Sequence, residues 1–202
     1  MPRSQRPTCA RCGVGVSGAF DALMSCARCR AMPPAFEAAS APWQYTGAVR
    51  EAVHLWKYRH HWKIGPWLAG TMAAWGTRTL PLDEIDVVIP VPLHRVKRHL
   101  KGFQPVEELA ETVATALHKP CERSFLHRWR FTSTQTRLSW TARWRNVRRA
   151  FIASRPDLQG LNVLLIDDVL TSGATANACT LALKDAGAHR VFVLTAARTP
   201  RA

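Results

Sequence analysis

The apolar positions of this 202-residue chain follow two rhythms, one of helices and one of strands. From Gly47, the residues Val49, Ala52, Val53 and Trp56 recur at helical spacing. A second helical stretch, about 65–76, opens with Gly65-Pro66, and proline is favoured in a first turn. Residues 105–118, PVEELAETVATALH, start with acids and set Val106, Leu109, Ala110 and Val113 on one face, which predicts a third helix. The run IDVVIPV (85–91) reads as a strand ending at Pro90 and Pro92. Residues 161–167 form a continuous apolar strand, about 173–186 a helix closed by Gly187, and 190–196 another strand. Strand, helix and strand of these lengths make a parallel βαβ unit, so the expected class is α/β with a parallel sheet.

Residues 1 to about 32 carry neither rhythm. They hold Cys9, Cys12, Cys26 and Cys29, two C-x2-C pairs thirteen residues apart. Thiol pairs so spaced can converge tetrahedrally on one zinc ion, and a segment this short cannot bury a core without its metal. Two disulfides would suit a secreted chain. A redox motif needs one pair at a helix start after a strand, and here there are two pairs and no strand. Arg11 and Arg28 lie inside the pairs, where cations favour the thiolate form. Cys121 and Cys179 stand apart as packing residues. The expected organisation is a zinc module at 1–32, a linker at 33–46 punctuated by Pro33, Pro34 and Pro42, and an α/β domain at 47–202.

The stretch VLLIDDVLTSGAT, residues 163–175, concentrates the chemistry. In an open parallel sheet, ligands gather beyond the carboxyl ends of the strands, and Asp167 and Asp168 fall there. The loop Thr171-Ser172-Gly173-Ala174-Thr175 offers backbone N–H groups, hydroxyls and a glycine at a helix start, which suits a phosphate monoester. Carboxylates beside such a loop would repel an anion if both met the same oxygens. They fit if they hold a sugar's hydroxyls, or a divalent ion on them, so the motif describes a ribose 5-phosphate group.

Charge adds a second expectation. The chain is 47% hydrophobic and 21% charged, a globular balance, yet its net charge is +14, lying almost wholly ahead of residue 161. Phosphorylated ligands and nucleic acid are the expected partners. From Arg123 to Arg149 there are eight arginines and no acid, with Trp129, Trp140 and Trp144 among them. HLWKYRHHWK (54–63) mixes rings and cations in the same way. Single-stranded nucleic acid is gripped by cations along its backbone and by rings under its bases. Trp56, Trp67 and Trp75 are expected in the core, and Trp62, Trp140 and Trp144 at the surface. His60 and His61 belong to the basic surface, with no companion metal ligand. No apolar run suggests a membrane span or a signal peptide, so the cytoplasm is the expected compartment.

The stretch 163–175 resembles the signature of the type I phosphoribosyltransferase fold. A narrower resemblance, to the ComF family of competence proteins, covers nearly the whole chain. It rests on the four-cysteine module, on Tyr45-Thr46-Gly47-Ala48-Val49-Arg50 running on to Lys57-Tyr58, and on Val88-Ile89-Pro90-Val91-Pro92-Leu93-His94. Gly102-Phe103 and the spaced set Gln135, Leu138, Arg143, Asn146, Val147 and Phe151 complete it. Two departures stand out: Lys101-Gly102-Phe103-Gln104-Pro105 where the family commonly reads Arg-Gly-Phe-Asn-Gln, and Thr171-Ser172-Gly173 in place of Thr-Thr-Gly.

The resemblance implies that Asp167 and Asp168 bind the ribose hydroxyls of phosphoribosyl pyrophosphate, usually with magnesium, and that Thr171 to Thr175 bind its 5′-phosphate. It implies a pyrophosphate-side loop at Val91, Arg95, Arg98 and Lys101, whose neighbours Pro90 and Pro92 have no N–H to give. Residues 123–149 take the place of a hood loop, so Gln135, Arg137, Trp140, Arg143, Trp144 and Arg145 would meet pyrophosphate or nucleic acid. The expected role is DNA uptake in natural competence, alongside other uptake proteins, with single-stranded DNA and the phosphoribosyl ligand as partners. An active phosphoribosyltransferase with a nitrogenous acceptor and a non-catalytic ligand sensor are the rivals.

Overall fold

The computed structural model describes residues 8–16, 25–59, 61–93, 104–129, 150–153 and 158–200. Along the chain run α1 (Ala27–Ala31), β1 (Ala38–Ser40), β2 (Trp43–Gln44), α2 (Gly47–Arg59) and α3 (Ile64–Thr79). They are followed by β3 (Val87–Pro90), α4 (Pro105–Ala116), β4 (Leu126–Arg128), β5 (Phe151–Ala153), β6 (Asn162–Leu170), α5 (Ala174–Asp185) and β7 (Arg190–Arg198). The apolar runs become a parallel sheet in the order β1-β7-β6-β3, with β2 pairing β7 beyond β1. Past β3 the sheet gains one more rung, because Val88 bridges Cys121 in parallel and exchanges backbone bonds with Pro120 and Glu122.

A parallel strand is covered on both faces, which is why Val163, Leu164, Leu165 and Ile166 are all fully buried. One core lies under α5 and the antiparallel pair β4–β5, the other under α2, α3 and α4. Each fully buried Leu or Ile contributes about 1.5–3 kcal/mol over its exposed state. Pro105 opens α4 and Glu107 and Glu108 follow in its first turn, as its sequence predicts. Gly187 takes φ +103°, the left-handed conformation that ends α5.

Three features depart from the sequence reading. Within the segment 33–46, assigned to a linker, Ala38–Ser40 and Trp43–Gln44 are strands: Ala38 pairs with Phe192 and Trp43 with Ala197. Strands of three and two residues, parted by Pro42, are too short to show a period, but the open edge of β7 needs backbone partners and this segment supplies them. β6 runs through the acid pair to Leu170, because its ladder with β7 continues to Leu170 opposite Arg198. β4 and β5, three residues each, are too short to show a period in sequence.

Candidate functional site

The two aspartates sit near the carboxyl end of β6, the central strand, with Asp167 opposite Thr195 of β7. Their own carboxylates help hold the backbone. Asp167 accepts from the N–H of Asp168 at 2.9 Å, and Asp168 accepts from the N–H of Val169 at 2.7 Å. Beyond Leu170 the chain turns through Thr171 and Ser172 to Gly173, whose φ of +81° is the left-handed conformation glycine adopts without strain. Gly173 caps α5, and its carbonyl accepts the first helical bond, from Asn177 at 2.8 Å. The first-turn N–H groups of a helix have no intrahelical acceptor, so this corner presents donors and a positive dipole end. Ser172 Oγ accepts from the Ala174 N–H at 3.3 Å, while Thr171 is exposed and Thr175 half-buried.

Two cations from distant parts of the chain serve the acids. Lys57 of α2 forms an ion pair with the buried Asp168 carboxylate. Arg128, at the end of β4, lies close enough to Asp167 for mutual Coulombic stabilisation, and its guanidinium sits 5.4 Å from the centre of the Phe151 ring. Burial nonetheless dominates at Asp167 and pushes its pKa up to about 6, against the pull of Lys57 and Arg128. At neutral pH the carboxylate is still mostly ionised, the form that can accept hydrogen bonds from hydroxyls or face a hard cation. Cys179 of α5 is completely buried near this group, and burial raises its thiol well above the ordinary range.

Val91 departs from its expected use. Its N–H donates to the Ile166 carbonyl at 2.8 Å and its side chain is buried, so the donor extends the β3–β6 ladder instead of facing a ligand. Arg95, Arg98, Lys101, Gln135, Arg137, Trp140, Arg143, Trp144 and Arg145 lie outside the described residues.

The four cysteines converge. Their sulfur atoms all lie within 4.8 Å of one another and all four residues are buried. A tetrahedral ion with Zn–S near 2.3 Å would separate its ligands by about 3.8 Å, and Cys12 and Cys26 stand 3.8 Å apart. The group can hold a metal. None of the six cysteines forms a disulfide. Hydrogen bonds from Cys12 and Cys29, and the Cys26 N–H at 3.2 Å, favour a thiolate at Cys9 over the cost of burial. At Cys12 the bond from Cys29 and the charge of Arg198 are outweighed by the bond to Cys9 and by burial, so that thiol is raised. Arg11 turns out to be a bracket: it donates to the carbonyls of Phe36 and Glu37 at 3.1 and 3.0 Å and pairs with the Glu37 carboxylate.

No protein-family model matches the chain. It is 28% identical over 200 residues to the DNA utilization protein YhgH of Shigella flexneri, covering 98% of this chain and 86% of that protein. It is 25% identical over 197 residues to competence protein F of Haemophilus influenzae, covering 95% of this chain and 85% of that one. The chain is a homologue of these DNA-utilization and competence proteins. A shorter similarity, 30% over 114 residues, joins 56% of this homologue to 20% of the amidophosphoribosyltransferase of Escherichia coli.

The aromatic rings of the chain sort differently from the sequence reading. Trp56 is in the core, but Trp67 is 45% exposed and stacks on Trp43 with ring centres 4.8 Å apart. The apolar face of α3 runs through Gly65, Leu68, Ala69, Met72 and Ala73, and Trp67 falls one position off it. Trp75 is half-buried and donates its ring N–H to Ser40 Oγ at 2.8 Å. Trp62 is exposed as expected, with the Lys63 ammonium 5.3 Å from its ring centre, and His61 is exposed beside it. Lys57 was legible in principle: it follows Val53 by four residues and so puts a cation on the apolar face of α2. Among the described residues no helix is long and apolar enough to cross a membrane.

Proposed function

We propose that the chain is a DNA-uptake protein that holds the ribose 5-phosphate part of phosphoribosyl pyrophosphate and grips single-stranded DNA. One observation carries the ligand half: two carboxylates sit near the carboxyl end of β6, and the turn that follows the strand leads to a left-handed glycine that opens a helix. Asp167 and Asp168 then take the 2′- and 3′-hydroxyls, with magnesium as a hard cation suited to carboxylate oxygen. Thr171 to Thr175 take the 5′-phosphate. Arg95, Arg98 and Lys101 supply charge on the pyrophosphate side, where the Val91 N–H is already engaged. Zinc in the cysteine cluster is structural, and cysteines that form no disulfide suit the cytoplasm.

Support for the DNA half comes from surface chemistry. Tyr58, Trp62, Trp67 and Trp129 are exposed, with Arg59 next to Tyr58 and Lys63 over the Trp62 ring, and the arginine-rich residues 130–149 follow Trp129 in sequence. Stacked bases contribute about 1–3 kcal/mol each, and phosphate contacts make binding salt-dependent.

Titration calorimetry with phosphoribosyl pyrophosphate and magnesium, with and without a short single-stranded DNA, tests both halves. The variant carrying Asp167→Asn and Asp168→Asn loses at least a hundredfold in ligand affinity; an unchanged affinity removes the ligand reading. DNA affinity falls linearly in log salt, and Arg143→Ala or Arg145→Ala each lowers the slope by about one. The similarity to an amidophosphoribosyltransferase favours a second reading, transfer to a nitrogenous acceptor. It predicts pyrophosphate release that the double substitution abolishes.

A further inference from the structure

Arg198 ends β7 and touches both sites at once. Its Nε–H donates to the carbonyl of Cys12 at 3.0 Å, inside the cysteine cluster. One of its terminal nitrogens donates to the carbonyls of Leu170, at 2.7 Å, and Thr171. Those two residues begin the turn that precedes Gly173. The far end of the same turn is held by the segment between the module and β1. The Ala35 N–H donates to Asn177 Oδ1 in the first turn of α5 at 2.7 Å, and Phe36 packs beside Gly173, 3.9 Å from where a side chain there would begin. Glu37 links Arg11 of the module, at 3.2 Å, to Lys184 of α5, at 3.1 Å.

We infer that Arg198 is a positioning residue that couples occupancy of the four-cysteine site to the shape of the 171–175 turn. A guanidinium is a rigid planar fork, so its orientation depends on keeping its acceptors together. The Cys12 carbonyl stays in place only while the Cys12 sulfur is held, and a module this short needs its metal to keep a fold. Losing the metal therefore releases one of the acceptors of Arg198 and loosens its grip on Leu170 and Thr171. Coupling of this kind is reciprocal: a phosphate ligand that orders the turn must tighten the module by the same factor.

Two measurements on the full-length, zinc-loaded chain test the coupling, and the second also rests on the proposed ribose 5-phosphate site. Hydrogen exchange is followed at the Asn177 amide, bonded to Gly173, and at the Thr199 amide, bonded to Leu170. Stripping the metal with a chelator is expected to speed exchange at both by at least tenfold, while Leu164 and Leu165 in β6 stay protected. Next, transfer of zinc to a chromogenic chelator is timed with and without saturating ribose 5-phosphate. The ligand is expected to slow transfer about fivefold or more in the parent, to have no effect in Arg198→Gln, and to have an intermediate effect in Arg198→Lys. Exchange indifferent to the metal overturns the coupling. So does a transfer rate indifferent to a ligand that calorimetry shows to be bound. If ribose 5-phosphate does not bind at all but exchange responds to the metal, the ligand reading fails and the coupling stands.

Discussion

The molecule has two polar centres, and they are assembled in opposite ways. The cysteine cluster is local: its four cysteines come from residues 9 to 29, and their sulfurs lie within 4.8 Å of one another. The acid pair is local only in its own letters. Its cations come from α2, more than a hundred residues earlier, and from the end of β4. A metal site can close itself by chelation, whereas buried carboxylates depend on the whole fold to bring charge to them. Substitutions at the acid centre should therefore couple across long sequence distances, and those in the module should act through its seam with β1.

The largest expected effect breaks the long-range half. Replacing Lys57 with Met leaves Asp168, a buried carboxylate, without its ion-pair partner. Removing one member of a buried pair typically costs about 3–5 kcal/mol, and the partial exposure of Lys57 places the expected loss near the lower end, about 3 kcal/mol. Urea unfolding measures it. Adding Asp168→Asn should recover most of the loss, because the uncompensated charge is gone. If the two losses simply add, the pair does not hold α2 against β6.

This asymmetry also sets what could be read in the sequence. The parallel sheet, α2 to α5 and the turn at 171–175 follow from period, caps and motif, and each involves neighbours in the chain. The edge strands β1 and β2 did not show, because what makes Ala38–Ser40 and Trp43–Gln44 strands is the unpaired edge of β7, far along the chain. Arg198 was equally hidden. It carries no motif, and its importance lies in three carbonyls contributed by residues 12, 170 and 171. Lys57 shows the intermediate case, a charge on an apolar helical face that signals some buried partner without naming it.

The seam of the module offers a sharper, smaller test. Gly13 has φ +65°, and a methyl group added there would lie 2.5 Å from the Ala39 carbonyl oxygen, backbone that cannot swing aside. Gly13→Ala thus combines a left-handed conformation, about 1–2 kcal/mol for an L side chain, with a displacement of the module from β1. The expected outcome is faster hydrogen exchange at the Ala39 amide, which donates to the Arg11 carbonyl at 2.8 Å. Zinc stoichiometry should stay at one, because the four sulfurs are untouched. Loss of the metal instead would mean that the seam, and not the spacing of the cysteines, assembles the cluster.

The smallest effect is a pH dependence confined to the acid centre. Burial raises Asp167 from the ordinary 3.8 to about 6 in the folded chain. The fold therefore favours the protonated carboxyl, and ionising it opposes folding. That penalty is absent below about pH 4, grows as the pH rises to 6, and is complete above 6. Two units correspond to about 3 kcal/mol, of which the side chain's partial contact with solvent leaves roughly 1–2. Asp167→Asn should then be the more stable protein by that amount at pH 8 and equal to the parent at pH 4, measured by urea unfolding at each pH. A stability difference of the same size at both values would show that Asp167 acts through shape and not through charge. Asp167 would then place no electrostatic burden on the fold.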